Sequence, residues 1–431
     1  AVRGARHKAP NVADVRPGSS GAASENTQPE VPGGVPTDTV TPETASESER
    51  GTEPSAPDPM VYMVKETDEI FSAAYTEFAL GLLRAGLEDG KNTLVSPLSV
   101  MEALAMMANG ACGETLGEME RVIGGGIPVS ELARYLAGFA AGGEELSLAN
   151  SLWLREGFDI DEEFLRKCSA FQGAGAYRAP FDRHTVDDIN DWVSENTHGM
   201  IKSAVDYDTV RASELLLCNA LYFDGKWERR YSDGDISDGY FTRESGARDE
   251  VRFMYSEEHS LLTVAGGRGF IKNYDGGNYA FVAVLPDAGT DISEFVSSLD
   301  AAALAEALKK TTAAVIDARI PEFRAEYGAD LKMALGNMGI TRAFEPGEAD
   351  FSGITSDDNI YIGSVMHRTV MEIDRDGTKA TASTVIAAPT AADPGLLPER
   401  INITLDRPFV YMIIDRTVSL PVFIGVAAGM K

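Results

Sequence analysis

The chain has 431 residues, 44% of them hydrophobic, and its 67 acidic against 38 basic side chains give a formal net charge of −29. That length supplies the core of one large domain or two ordinary ones, and so acidic a surface repels phosphate backbones and anionic lipid, which argues against nucleic acid and membranes as partners. No apolar run reaches the roughly 18 residues of a membrane span, and three cysteines (Cys112, Cys168, Cys218) are too few for a disulfide framework and read as buried free thiols.

Residues 1–59 contain no Leu, Ile, Met or aromatic side chain and are rich in Pro, Ser, Thr, Glu and Gly. Such a segment cannot bury enough apolar surface to offset its ordering entropy, so it is expected to be a disordered tail or linker. A tail of that length spans on the order of 40 Å, enough for a tether; a passive remnant fits as well. The first residue is Ala rather than Met, as removal of a signal peptide would leave it, and we expect an extracellular protein, secreted or tethered to a surface.

Composition changes sharply at Met60, and residues 60–431 read as the folded domain. Phe71, Tyr75, Phe78 and Leu82 recur at helical spacing and predict an amphipathic first helix. Ser96-Pro97 is a helix start, with Val100, Leu104 and Met107 on one face of the helix that follows. The run Ala280 to Leu285, closed by Pro286, predicts a buried strand. Further strands are predicted at Ile320 to Phe323, Val370 to Ile373, Ile401 to Leu405, Phe409 to Ile414 and Val422 to Val426. Helices dominate the first half and strands the second, without regular alternation or internal repeat, so the fold class is α+β.

No enzyme site stands out. The histidines (His7, His184, His198, His259, His367) include no pair at metal-ligand spacing. There is no G-x-S-x-G elbow, and Gly173-Ala174-Gly175 does not continue into a dinucleotide fingerprint. Neither a metal nor a cofactor is implied. One segment does need an explanation: Gly377-Thr378-Lys379-Ala380-Thr381-Ala382-Ser383-Thr384 lacks turn chemistry after its glycine, and Thr378, Ala380, Ala382 and Thr384 are all small. It reads either as a small-residue linker or as a strand able to slot between two others, whose inward face must be small.

At these residues the chain resembles the serpin family over about residues 60–431. Asn92 to Ser99 is similar to the family's N-x-x-x-S-P-x-S, and Gly110 to Thr115 to the G-x-x-x-x-T that continues it. Asn219 to Glu228 resembles N-A-x-Y-F-K-G-x-W. Asp330-Leu331, Met338-Gly339-Ile340 and Ala349 to Ile354 resemble the next block, and Val365-Met366-His367-Arg368 precedes the hinge as V-x-H-K does. Arg407-Pro408-Phe409 and Phe423-Ile424-Gly425 match the C-terminal R-P-F and F-x-G. Each motif alone is weak; their order and spacing make the resemblance specific.

The resemblance implies about three β-sheets, mixed and antiparallel, ringed by helices, with a reactive loop exposed from about Asp376 to Arg400. It implies a suicide inhibitor of serine proteases: cleavage frees the hinge, the loop enters the main sheet as a strand, and the acylated protease is carried along and distorted before water can release it. Counting from the hinge places the scissile bond at Ala391–Ala392, with Pro394 beyond the cut as in alpha-1-antitrypsin. Fourteen residues, Thr378 to Ala391, would span roughly 46 Å as a strand. A small Ala at the specificity position suits an elastase-like pocket, shallow and apolar. The loop is longer than in that inhibitor, so counting back from Pro408 gives Leu396–Leu397 and a chymotrypsin-like target instead. Four residues transfer as a hydrogen-bonded shutter under the main sheet: Ser96, Ser99, Asn219 and His367. A fifth expectation is an ion pair at the top of that sheet between Glu322 and Arg375, with both charges reversed relative to the family. A monomer is expected. The rival readings are a non-inhibitory serpin with a carrier, chaperone or storage role, and a hydrolase.

Overall fold

The computed structural model describes residues 63–139, 145–157, 159–168, 174–356, 360–378 and 400–430. The N-terminal segment, the hinge positions Lys379, Ala380, Thr381, Ala382, Ser383 and Thr384, and both candidate scissile bonds lie outside them.

Helix α1 (Glu69–Gly86) begins where the Asp68 carboxylate accepts the Phe71 N–H, and it buries Phe71, Tyr75, Phe78 and Leu82 as their spacing predicts. Helix α2 (Pro97–Ala108) starts at the Ser96 cap with Pro97 in its first turn. The spacing of Val100, Leu104 and Met107 predicts one buried face, but every residue of α2 is buried, Glu102 included. The helix packs against strands of two sheets at once, and a helix so enclosed must be apolar almost all round.

In chain order the strands are β1 (Thr93–Val95), β2 (Leu146–Arg155), β3 (Ala174–Ala179), β4 (Leu215–Phe223), β5 (Gly225–Lys226), β6 (Ile236–Thr242), β7 (Arg248–Val264) and β8 (Gly267–Asn273). There follow β9 (Tyr279–Pro286), β10 (Thr312–Pro321), β11 (Phe323–Asp330), β12 (Ser364–Ile373), β13 (Gly377–Thr378), β14 (Arg400–Thr404), β15 (Phe409–Asp415) and β16 (Leu420–Ala427). Among the described residues they form three sheets. The largest has nine strands, ordered β1-β16-β15-β9-β8-β7-β10-β14 with β6 also on β7. The second, called the central sheet below, has five strands in the order β11-β12-β4-β2-β3, and the third is the pair β13-β5. The architecture is α+β, as read from the sequence.

Strands β15 and β16 are buried along their whole length, which explains their unbroken apolar character. One predicted strand is in fact two: Ile320 to Phe323 spans the end of β10 and the start of β11, and Glu322 is where the chain crosses from the largest sheet to the central one. Cys168 and Cys218 are buried and Cys112 is half-buried; all three are free thiols. No helix among the described residues is long and apolar enough to cross a membrane.

The feature that positions the site is the seam of the central sheet. Strands β4 and β12 run parallel across six residue pairs, from Ser364↔Leu216 to Thr369↔Leu221. Their neighbours β2 and β11 pair antiparallel with them.

Candidate functional site

Beneath the seam lies a polar row. His367 on β12 is the register partner of Asn219 on β4, and Asn219 is that of Asn150 on β2, so three adjacent strands present polar side chains in one line. Under them run Ser96, Ser99 and Glu102 of α2, three residues apart and therefore on one helix face. The Ser96 Oγ accepts the Ser99 N–H at 3.2 Å, and the Ser96 N–H donates to His367 Nε2 at 3.1 Å. Asn219 Nδ2 donates to Asn150 Oδ1 at 2.8 Å and to the Ser99 carbonyl at 3.4 Å. Asn150 Nδ2 in turn donates to Glu102 Oε2 at 3.1 Å.

All six side chains are buried. Burial, with the neighbouring Arg368, pushes His367 down to about 3, so its imidazole is neutral at physiological pH and accepts through Nε2. Burial pushes the Glu102 carboxyl up to about 8, against the lowering effect of the Asn150 amide, so it carries a proton at pH 7. The row is therefore uncharged. It brings together Ser96, Ser99, Asn219 and His367, the quartet that the resemblance implies, and adds Asn150 and Glu102. A signal for Glu102 existed: it is the one acid in an apolar helix, in step with Ser96 and Ser99.

At the end of the seam Gly377–Thr378, the start of the expected hinge, are already paired. Strand β5 follows β4 after Asp224, and β13 follows β12 after the turn Asp374–Asp376. The two short strands pair antiparallel, Gly377↔Lys226 and Thr378↔Gly225. Gly377 has φ 147°, and a Cβ there would lie 2.2 Å from the Gly225 carbonyl oxygen, so no other residue fits. Thr378 is buried with its hydroxyl 2.8 Å from Tyr274 Oη. The turn is gripped by main-chain atoms: Trp227 N–H donates to the Asp376 carbonyl at 3.1 Å and Tyr231 N–H to the Arg375 carbonyl at 3.1 Å. The Trp227 indole donates to the Asp374 carbonyl at 2.8 Å, and its ring stacks on Tyr274 with centroids 4.6 Å apart.

The expected ion pair between Glu322 and Arg375 is corrected here. Glu322 pairs with Arg252, and Arg375 pairs with Asp233 at 2.6 Å. The cause is register. Pro321 lies opposite Phe253, so the next residue, Glu322, falls beside Arg252, whose carbonyl accepts its N–H at 2.8 Å. Arg375 is held alongside the 231–233 segment by the Tyr231 bond. Glu322 reaches Arg375 only as a more distant attraction.

The family profile described as Serpin (serine protease inhibitor) matches residues 73–428. The chain belongs to the serpin family. Among its relatives, leukocyte elastase inhibitor A of Mus musculus is 28% identical over 385 residues, covering 83% of this serpin and 98% of that protein. Among solved structures, the thermophilic serpin tengpin in the native state matches with a TM-score of 0.78 at 34% identity, over 86% of this chain and 97% of that one. Tengpin in the latent state matches with a TM-score of 0.73 at 33% identity, covering 86% and 100%.

Proposed function

We propose that this serpin inhibits a serine protease as a suicide substrate, with Ala391–Ala392 as the bait bond. The protease serine attacks the Ala391 carbonyl, the peptide bond breaks, and Ala392 leaves as a new amino terminus. The protease is then held as an ester while residues 379–391 enter the seam between β4 and β12.

The observation that carries this reading is the seated hinge. Gly377–Thr378 lies antiparallel to β5 at the end of the parallel β4–β12 ladder, where an inserting strand would begin. A strand continuing from there runs antiparallel to both neighbours. One parallel ladder would give way to two antiparallel ones, and antiparallel pairing is the more stable per residue. The polar row sets the resistance: His367 ties β12 to α2 and Asn219 ties β4 to the same helix, so parting the strands strains one anchor.

The target class we favour is elastase-like, because Ala391 is small and the mouse relative is named a leukocyte elastase inhibitor. Incubation of the full chain with an elastase-type protease, read on a denaturing gel, tests this. A stable band of combined mass, with a released fragment beginning at Ala392, is the expected result. A fragment beginning at Leu397 would move the target to the chymotrypsin-like class, and a nicked chain without complex would overturn inhibition.

A further inference from the structure

Strand β8 carries a lysine where a strand at the centre of the nine-stranded sheet has no need of one. The Lys272 side chain is 4% exposed. Its ammonium donates to Glu258 Oε1 at 3.1 Å and to the Arg229 carbonyl at 3.4 Å. It also lies over two rings, 5.2 Å from the Trp227 centroid and 4.6 Å from that of Tyr231. The circuit closes through hydroxyls: Ser256 Oγ donates to the same Glu258 oxygen at 2.7 Å and meets Tyr231 Oη at 3.2 Å.

Burial lowers the pKa of Lys272 while Glu258 opposes that shift. An enclosed ion pair of this kind is weak support for global stability, since an apolar side chain of the same volume usually does as well or better. What it does supply is direction. An ammonium between two ring faces and a carboxylate fixes the planes of both rings. Those rings belong to Trp227 and Tyr231, whose N–H groups hold the Asp376 and Arg375 carbonyls, and Trp227 also stacks on the tyrosine that meets Thr378.

We propose that Lys272 is a positioning residue for the reactive-loop hinge: through Trp227 and Tyr231 it keeps Asp374–Thr378 seated at the mouth of the seam, so that the uncut loop waits there instead of running into the central sheet. The inference rests on the insertion reading above and names the group that sets its timing. The occupant of the aromatic cage is internal, and no ligand is required.

The test follows the uncut protein. Lys272→Met keeps the volume and removes the charge. Full-length protein is held a few degrees below each variant's own thermal midpoint, and loss of native monomer to latent or polymeric forms is followed on native gels. Lys272→Met is expected to convert faster by on the order of tenfold, the effect of losing a desolvated cation–π contact. Glu258→Gln should convert at an intermediate rate and Lys272→Arg near that of wild type; these two carry the test if Lys272→Met does not fold. Tryptophan emission of Lys272→Met should shift to the red, and a Trp227→Phe background should abolish that shift.

A merely structural role is separated by adding Thr384→Arg, which puts a guanidinium on the inward face of the segment that would enter the seam and leaves the seat itself untouched. If Lys272 acts through the hinge, the acceleration vanishes in that background. Equal rates in wild type and Lys272→Met, or an acceleration that persists with Thr384→Arg, would overturn the proposal. Failure of the insertion reading looks different: no variant would convert to a latent form and wild type would trap no protease, which overturns both.

Discussion

Two regions along the central sheet are held by different means. Beneath the seam, the row from Ser96 to His367 is uncharged, wholly buried and bonded across three strands and a helix. At its mouth, the hinge is held by main-chain carbonyls, a glycine that nothing can replace, and aromatic rings packed around one ammonium. In the proposed mechanism the row would resist any parting of β4 from β12, whereas the mouth would govern where and when parting begins. A fault in the first should therefore show as altered stability and pH response, and a fault in the second as altered fate of the loop.

The largest effect is expected at the mouth. Thr378→Arg would bury a guanidinium where a small hydroxyl now meets Tyr274, at a penalty of several kcal/mol. The variant should fold and be cut by the protease as a plain substrate, with covalent complex reduced to a trace on denaturing gels. Undiminished complex would mean that the seat plays no part in insertion.

Next in size is the pH response of the row. Glu102 has an ordinary value of 4.5 and is pushed up to about 8 in the fold. The fold therefore binds the extra proton, and its stability falls as pH rises from 4.5, with the full loss reached above 8. Each unit of that shift is worth about 1.4 kcal/mol. Glu102→Gln should remove this slope, so denaturant midpoints at pH 5 and pH 9 should differ less than in wild type. His367 works in the opposite sense: its value drops from 6.5 to about 3, so stability is complete above 6.5 and lost as pH falls toward 3. His367→Asn should flatten that acid limb while leaving the alkaline one. If both limbs survive both substitutions, the row is not the titrating element.

The smallest effect belongs to the surface charges. The Arg375–Asp233 pair has an aspartate that is 93% exposed, and Arg252 opposite Glu322 is 58% exposed, so solvent screens both pairs and each contributes little. Glu322→Lys should be rescued by Arg252→Glu and not by Arg375→Glu, a difference that a double-mutant cycle on thermal midpoints reads directly.

The same contrast explains what could be read from the sequence. Ser96, Ser99, Asn219 and His367 were legible only through the family resemblance, because each lies in a matched motif; from local pattern alone Ser96 reads as a helix cap and the others as ordinary buried polar groups. Asn150 was not, because only the register of β2 on β4 puts it beside Asn219. Glu102 was hidden by its type: an acid in a helix reads as the solvent face until the helix is seen to be enclosed on all sides. The charge pairing at the mouth was misassigned because Ile320 to Phe323 was read as one strand, whereas the crossing at Glu322 turns that carboxylate to β7. Lys272 gave no signal, since its neighbours Glu258, Trp227 and Tyr231 come from separate segments of the chain. The α+β class and the strands at 280–285, 370–373, 401–404, 409–414 and 422–426 followed from apolar runs that long-range packing did not alter.

The central claim is that the paired seam can part to admit one more strand, so that the native sheet is short of its most stable form. On the proposed mechanism, cleavage of the loop at Ala391–Ala392, without protease left bound, would let that strand enter. The thermal midpoint of the cleaved protein, measured beside the intact one, tests this most directly. The account predicts a large rise, because a sixth strand completes the sheet between β4 and β12. A midpoint unchanged or lowered by cleavage, as ordinary nicking of a loop produces, would contradict it.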